Sequence, residues 1–184
     1  MSSMFRELTA SEIECRVGRI NEKHIELLLY KTSRVDADIL DETVGPENWQ
    51  CVFYEQKGTL FCKLGILCGC RDGRDEWVWK DDAGAPSNTE AQKGEASDAF
   101  KRASFKWGIG RELYTAPKIA FWVEQNGEVL CNVKQNDQGR WTTYDEFSVR
   151  KVEIDDHRIR RLWIVNDTLL KTVFVWNPLD DDSR

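Results

Sequence analysis

The chain has 184 residues, 41% of them hydrophobic and 11% aromatic, with eight tryptophans and a net charge of −6 at pH 7. That length and aromatic content suffice for a real core and exclude a disordered chain, most simply as one domain over 1–184. No run approaches the ~20 apolar residues of a membrane span, and the start Met1-Ser-Ser-Met-Phe-Arg-Glu holds no apolar signal core, so the expected location is the cytoplasm.

In chain order, residues 3–12 read as a short helix, with Thr9 or Ser11 supplying turn chemistry. Residues 13–20 and 24–30 alternate as a hairpin across Asn21-Glu22-Lys23. A helix follows over 34–44, with Val35, Ile39, Leu40 and Val44 apolar, an exposed acidic face of Asp36, Asp38, Asp41 and Glu42, and a stop at Gly45-Pro46. Three strands come next, at 49–56, 59–68 and 76–80, the first two joined at Lys57-Gly58. Residues 81–88 read as a loop rich in Asp, Ala, Gly, Pro and Ser, and a basic helix follows it. The core is therefore β-β-β-α: an α+β fold built on an antiparallel meander with a covering basic helix, preceded by a hairpin and a helix.

Further hairpins are expected after Pro117. Residues 118–125 and 128–135 flank Asn126-Gly127, a strong two-residue turn. Short strands are expected at 141–143 and 150–154, then a last hairpin from 158–165 and 168–176 across Asn166-Asp167. The tail Asp180-Asp-Asp-Ser-Arg reads as frayed.

The most informative stretch is Lys93-Gly-Glu-Ala-Ser-Asp-Ala-Phe-Lys-Arg-Ala-Ser-Phe-Lys-Trp-Gly-Ile-Gly-Arg111. Five cations (Lys93, Lys101, Arg102, Lys106, Arg111) stand there against two anions (Glu95, Asp98), on a chain that is acidic as a whole. Such an island concentrates attraction for polyanions on one face. Ala96, Ala99, Phe100, Ala103 and Trp107 form one apolar stripe at helical spacing. Lys101 and Arg102 fall on the far side with Phe105 between them, Lys106 lies near the stripe's edge, and Gly108 and Gly110 end the helix. Cations flanking an outward ring suit phosphates and a stacked base. A solvated face with an Asp98–Arg102 ion pair and a buried Phe105 fits the same spacing.

Residues 93–114 resemble the signature of the Rad52/Rad22 family of single-strand annealing proteins, in particular its shorter phage and bacterial members. The matching positions are Lys93, Ser97, Asp98, Ala99, Lys101, Arg102, Ala103, Gly108, Ile109, Gly110, Arg111, Leu113 and Tyr114. A second block, Leu40-Asp41-Glu42-Thr43-Val44-Gly45-Pro46-Glu47-Asn48-Trp49, resembles the same family's segment, about fifty residues upstream as the family has it. The likeness covers roughly residues 13–125. It implies ATP-independent annealing of single-stranded DNA in homologous recombination and double-strand break repair, by a homo-oligomeric ring or arc. Lys101 and Arg102 match the family's phosphate-binding pair. The family's inner-groove arginine and tyrosine correspond to Arg16 or Arg19 and to Tyr30, with Arg34 just after. A third cation that some eukaryotic members carry falls at Phe105 here, and recombinase loading through the long partner-binding tail of those members is not expected. An exonuclease or a single-strand binding protein is an expected partner, and the cytoplasm would be that of a bacterial host for a phage-encoded chain.

Other chemistry has little support. There is no G-x-x-x-x-G-K-[ST] loop, and two histidines, His24 and His157, make no local catalytic set. The only close cysteine pair, Cys68-Gly-Cys70, is spaced more tightly than a zinc knuckle. No enzyme, metal or cofactor is expected. The expected DNA-binding residues are Lys101, Arg102, Lys106, Phe105, Arg111, Lys93, Arg16, Arg19, Tyr30 and Arg34. The competing reading is an oligomeric interaction protein of the same fold without annealing activity, for which the net negative charge speaks.

Overall fold

The computed structural model describes residues 4–69, 73–85 and 91–178, with side chains in those spans except at 91–93. Their order is a 3-10 turn (Ala10–Glu12), β1 (Glu14–Ile20), β2 (His24–Tyr30), α1 (Ser33–Val44), β3 (Trp49–Gln56), β4 (Thr59–Gly69), β5 (Asp75–Ala83), α2 (Ala91–Trp107) and a second 3-10 helix (Arg111–Thr115). There follow β6 (Ile119–Trp122), β7 (Glu124–Gln125), β8 (Glu128–Val129), β9 (Lys134–Gln135), β10 (Trp141–Thr142), β11 (Phe147–Asp155), β12 (Arg158–Asn166) and β13 (Lys171–Trp176). All strand pairings are antiparallel, so the class is α+β. No helix among the described residues is long and apolar enough to cross a membrane.

The chain forms two compact units, each drawn from two stretches: residues 1–7 with 32–110, and 8–31 with 111–184. In the first, β3, β4 and β5 make a three-stranded sheet in that order, and α2 packs on β4 and β5. The apolar stripe explains the seating. Ala99, Phe100 and Ala103 are buried against the sheet side that carries Cys62, Leu64 and Ile66, and Trp107 Nε1 donates to the Leu64 carbonyl at 3.2 Å. Gly84 lies so close to the Glu95 backbone of α2 that a Cβ there would collide with it.

In the second unit the strand order is β13-β12-β11-β1-β2-β6. Residues spaced two apart point inward: Ile25 and Leu27 of β2, Ile119 and Phe121 of β6, Leu162 and Ile164 of β12. The edge strands β13 and β6 approach one another, so the sheet curls around this apolar face.

Several expected boundaries move for local reasons. Where a helix was expected over 3–12, the described residues 4–12 hold only a three-residue 3-10 turn, which Glu12 Oε2 fixes by accepting from Thr9 N at 2.7 Å and Thr9 Oγ1 at 2.9 Å. β5 continues through Ala83, paired with Phe61, where a loop was expected, while residues 86–88 of that loop lie outside the described residues. The hairpin at Asn126-Gly127 is only two residues deep on each side. β6 pairs with β2 instead, and Leu130 and Cys131 are both buried, which breaks the alternation expected over 128–135. The last hairpin turns over 167–170, because Asn166 Oδ1 accepts from Thr168 N and Leu169 N. Asp36, expected on the acidic outer face of α1, is fully buried: it shares the inward stripe with Ile39 and Leu40 at i+3 and i+4. Cys62 and Cys131 are buried thiols, Cys15, Cys51 and Cys68 are half-buried, and all five are unbridged. Cys70 and the tail 180–184 lie outside the described residues.

Candidate nucleic-acid interface

Burying the apolar stripe of α2 turns its basic side to solvent. Arg102 and Lys106 are exposed, and Lys101 and Phe105 are half-exposed. Lys101 makes no ion pair among the described residues. The other two cations share one carboxylate at the end of β5: Asp82 Oδ1 lies 3.5 Å from Arg102 Nε, and Oδ2 lies 3.5 Å from Lys106 Nζ. Lys106 Nζ also donates to the Asp81 carbonyl. One turn away, Lys80 Nζ sits 4.2 Å over the Trp107 ring and donates to the Lys106 carbonyl at 3.0 Å. This face is therefore a cation cluster in which Arg102 and Lys106 share the Asp82 carboxylate. The Asp98–Arg102 pair is not formed: Asp98 Oδ2 accepts instead from Ala85 N at 3.0 Å, which ties Ala85 to α2. Arg34 is exposed at the start of α1 in the same unit. The Lys93 side chain lies outside the described residues.

In the other unit, Arg16 and Tyr30 face outward together, the guanidinium 5.9 Å from the ring centroid. The Tyr30 hydroxyl donates to the Glu14 carboxylate, and that bond, with burial, raises the phenol to about 12. Both side chains border a 590 Å³ cleft where β1 and β11 part after a single pairing, Glu14 with Ser148. Asp145, Glu146 and Asp167 line its far wall, which repels phosphate from that side. Arg19 lies further along β1, 4.0 Å from Glu26. Arg111 is exposed at the start of the second 3-10 helix, whereas its neighbour Glu112 is fully buried and accepts from Leu8 N at 2.7 Å.

Much of the signature proves to be scaffolding. Gly45 stops α1 at φ 87°, its N–H donating to the Asp41 carbonyl, and Trp49 Nε1 donates to Asp41 Oδ1 at 2.6 Å. Asn48 Nδ2 donates to the Val44 carbonyl at 2.7 Å. The upstream block therefore joins α1 to β3. Ser97 Oγ donates to Ser33 Oγ at 3.2 Å, tying α2 to α1, and Gly108 and Gly110 end the helix at φ 111° and 71°. Among the signature positions with described side chains, Lys101, Arg102, Arg111 and Tyr114 are left facing outward. The reading from sequence missed Asp82, for which no local signal exists across the gap from β5 to α2. It also passed over Trp122, whose outward position follows from strict alternation with the buried Ile119 and Phe121.

Residues 2–128 match the model of a family described as Rad52/22 family double-strand break repair protein. No curated protein and no solved structure matches the chain.

Proposed function

Since the chain belongs to the Rad52/22 family of double-strand break repair proteins, whose role is DNA recombination and single-strand annealing, we propose that it anneals single strands without ATP, as an oligomer that holds DNA in a basic groove. The observation that carries this reading is the outward side of α2, where Lys101, Arg102 and Lys106 surround a half-exposed Phe105. Cations there neutralise phosphates while base edges stay open to pair. Arg34 and Lys93 add cations in the same unit; Arg19 and Arg111 are cations of the other unit, each exposed there. No covalent step is required, so the protein acts as a DNA-binding factor, not an enzyme. Repetition in a ring or arc places many copies along one strand and raises avidity without new contacts.

The test is a salt titration of binding to a fluorescent oligo(dT), with the scattering mass measured alongside. Affinity falls steeply with salt, and the mass is several times 21.4 kDa. An affinity indifferent to salt removes the electrostatic groove.

A second reading, an oligomeric interaction protein without annealing activity, draws on Asp82, which already engages two of the three outward cations. It expects no binding to oligo(dT) at low salt.

A further inference from the structure

The outward face of β2 carries a second aromatic and basic cluster, at the end opposite Tyr30. His24 pairs with Trp122 across β2 and β6, their rings meeting edge-on at 5.2 Å. Trp122 is 55% exposed, although indole is among the costliest side chains to leave in water. Glu26, one outward position along β2, is ringed by cations. Lys118 Nζ lies 2.6 Å from its Oε1, Arg19 Nε 4.0 Å from its Oε2, and His24 stands beside it. One carboxylate does not cancel Lys118 and Arg19 together, so the patch stays cationic whatever the charge on His24. Arg19 and Lys118 keep 84% and 71% of their side-chain surface exposed. Between this cluster and Tyr30 lies Leu28, 48% exposed on the same side. Seven residues of strand separate the two aromatic ends by about 20 Å.

We propose that this face of β1, β2 and β6 is a further single-strand contact, in which Trp122 stacks on a base and Arg19 and Lys118 hold the flanking phosphates. The inference rests on the proposed annealing function and gives the unit of β1, β2 and β6 a strand contact of its own, with Trp122 and Lys118 in it. The occupant follows from the chemistry. An apolar protein partner would seek a continuous hydrophobic patch, but here the exposed Trp122 and Leu28 are parted by Glu26 and its cations. Stacking ring plus flanking cations, on an uncovered sheet face, is the pattern that takes unpaired bases and backbone together. Duplex DNA presents no open base to the ring. Glu26 serves as the resting partner of both cations and yields them to phosphate.

The experiment measures binding of fluorescent oligo(dT) to full-length Trp122→Ala, Trp122→Phe and the double variant Arg19→Gln/Lys118→Gln. Lys101→Ala/Arg102→Ala serves as the reference, and circular dichroism melting checks each fold. Trp122→Ala weakens binding by about 5- to 100-fold while Trp122→Phe keeps most of it. The Arg19/Lys118 variant, whose side chains are exposed and whose loss leaves the sheet intact, lowers the salt slope by about 0.7 for each phosphate left without its cation. Wild-type binding in both the Trp122→Ala and Arg19/Lys118 variants, with binding abolished in Lys101→Ala/Arg102→Ala, overturns this inference and leaves the annealing function standing. Failure of the wild-type protein to bind oligo(dT) at low salt overturns both. A Trp122→Ala protein that binds normally but loses scattering mass makes the face a subunit contact, and the inference falls.

Discussion

Asp82 and Arg102 meet across the gap between β5 and α2, carboxylate oxygen to guanidinium Nε at 3.5 Å, and the same carboxylate reaches Lys106. The strand that supports the basic helix thus also supplies its counter-charge. Arg102 keeps half of its side-chain surface in solvent, so the pair is a screened one, worth at most about 1 kcal/mol. Phosphate therefore competes with Asp82 on nearly even terms. Replacing Asp82 with Asn removes the counter-charge that Arg102 and Lys106 share and raises affinity for a single strand several-fold at low salt. The gain shrinks as salt rises and the Debye length contracts. Oligonucleotide binding by anisotropy at two salt concentrations checks this. An unchanged low-salt affinity means that Arg102 and Lys106 do not meet the strand.

Lys101 and Arg102 should act additively and without regard to sequence. Each phosphate left without its cation lowers the slope of log affinity against log salt by about 0.7 for single strands. Lys101→Ala/Arg102→Ala thus flattens the slope by about 1.4, equally on oligo(dT) and on a mixed sequence. A weakening confined to one sequence would assign these residues to base recognition instead of backbone binding.

Phe105 separates stacking from packing. It is half-buried between Lys101 and Arg102 on the outward side of α2, whereas the fully packed ring of that helix is Phe100, 7% exposed and 5.9 Å from Trp49. Phe105→Ala therefore costs about 1–3 kcal/mol of strand binding while the melting temperature drops little. Melting and binding measured on the same protein decide it. A large fall in melting temperature, with affinity declining only in step with unfolding, would make Phe105 part of the core.

How much of this was legible in sequence depended on how far each signal had to reach. β1, β2, α1, β3 and α2 fall within two residues of expectation, because Gly45, the Lys57-Gly58 turn and the Ala99–Phe100–Ala103 stripe are local signals. The six-stranded order was not legible. β11 pairs with β1 across more than a hundred residues, and nothing in Phe147–Asp155 names its partner. The outward cations were legible as a helical face, but their common partner Asp82 was not, since it comes from another element. Asp36 reads as solvated by residue type alone, yet its place, i−3 and i−4 from the buried Ile39 and Leu40, puts it inside.

Gly45 tests the structural reading of the upstream block. Its φ of 87° suits glycine and strains any residue with a Cβ. Gly45→Ala costs about 1–3 kcal/mol of stability, read as a lower urea midpoint at constant slope, and leaves strand affinity of the folded protein unchanged. Weakened affinity with unaltered stability would instead give this turn a direct part in DNA binding.

Annealing is read from the rate at which two complementary oligonucleotides pair, with neither nucleotide nor metal added. Naked strands repel along their phosphates and fold on themselves; a basic surface offsets the first and opposes the second. The wild-type protein speeds pairing, and Lys101→Glu/Arg102→Glu abolishes the gain while its circular dichroism matches wild type. Binding with no rise in rate at any protein-to-DNA ratio would rule out annealing and leave a protein that merely coats single strands.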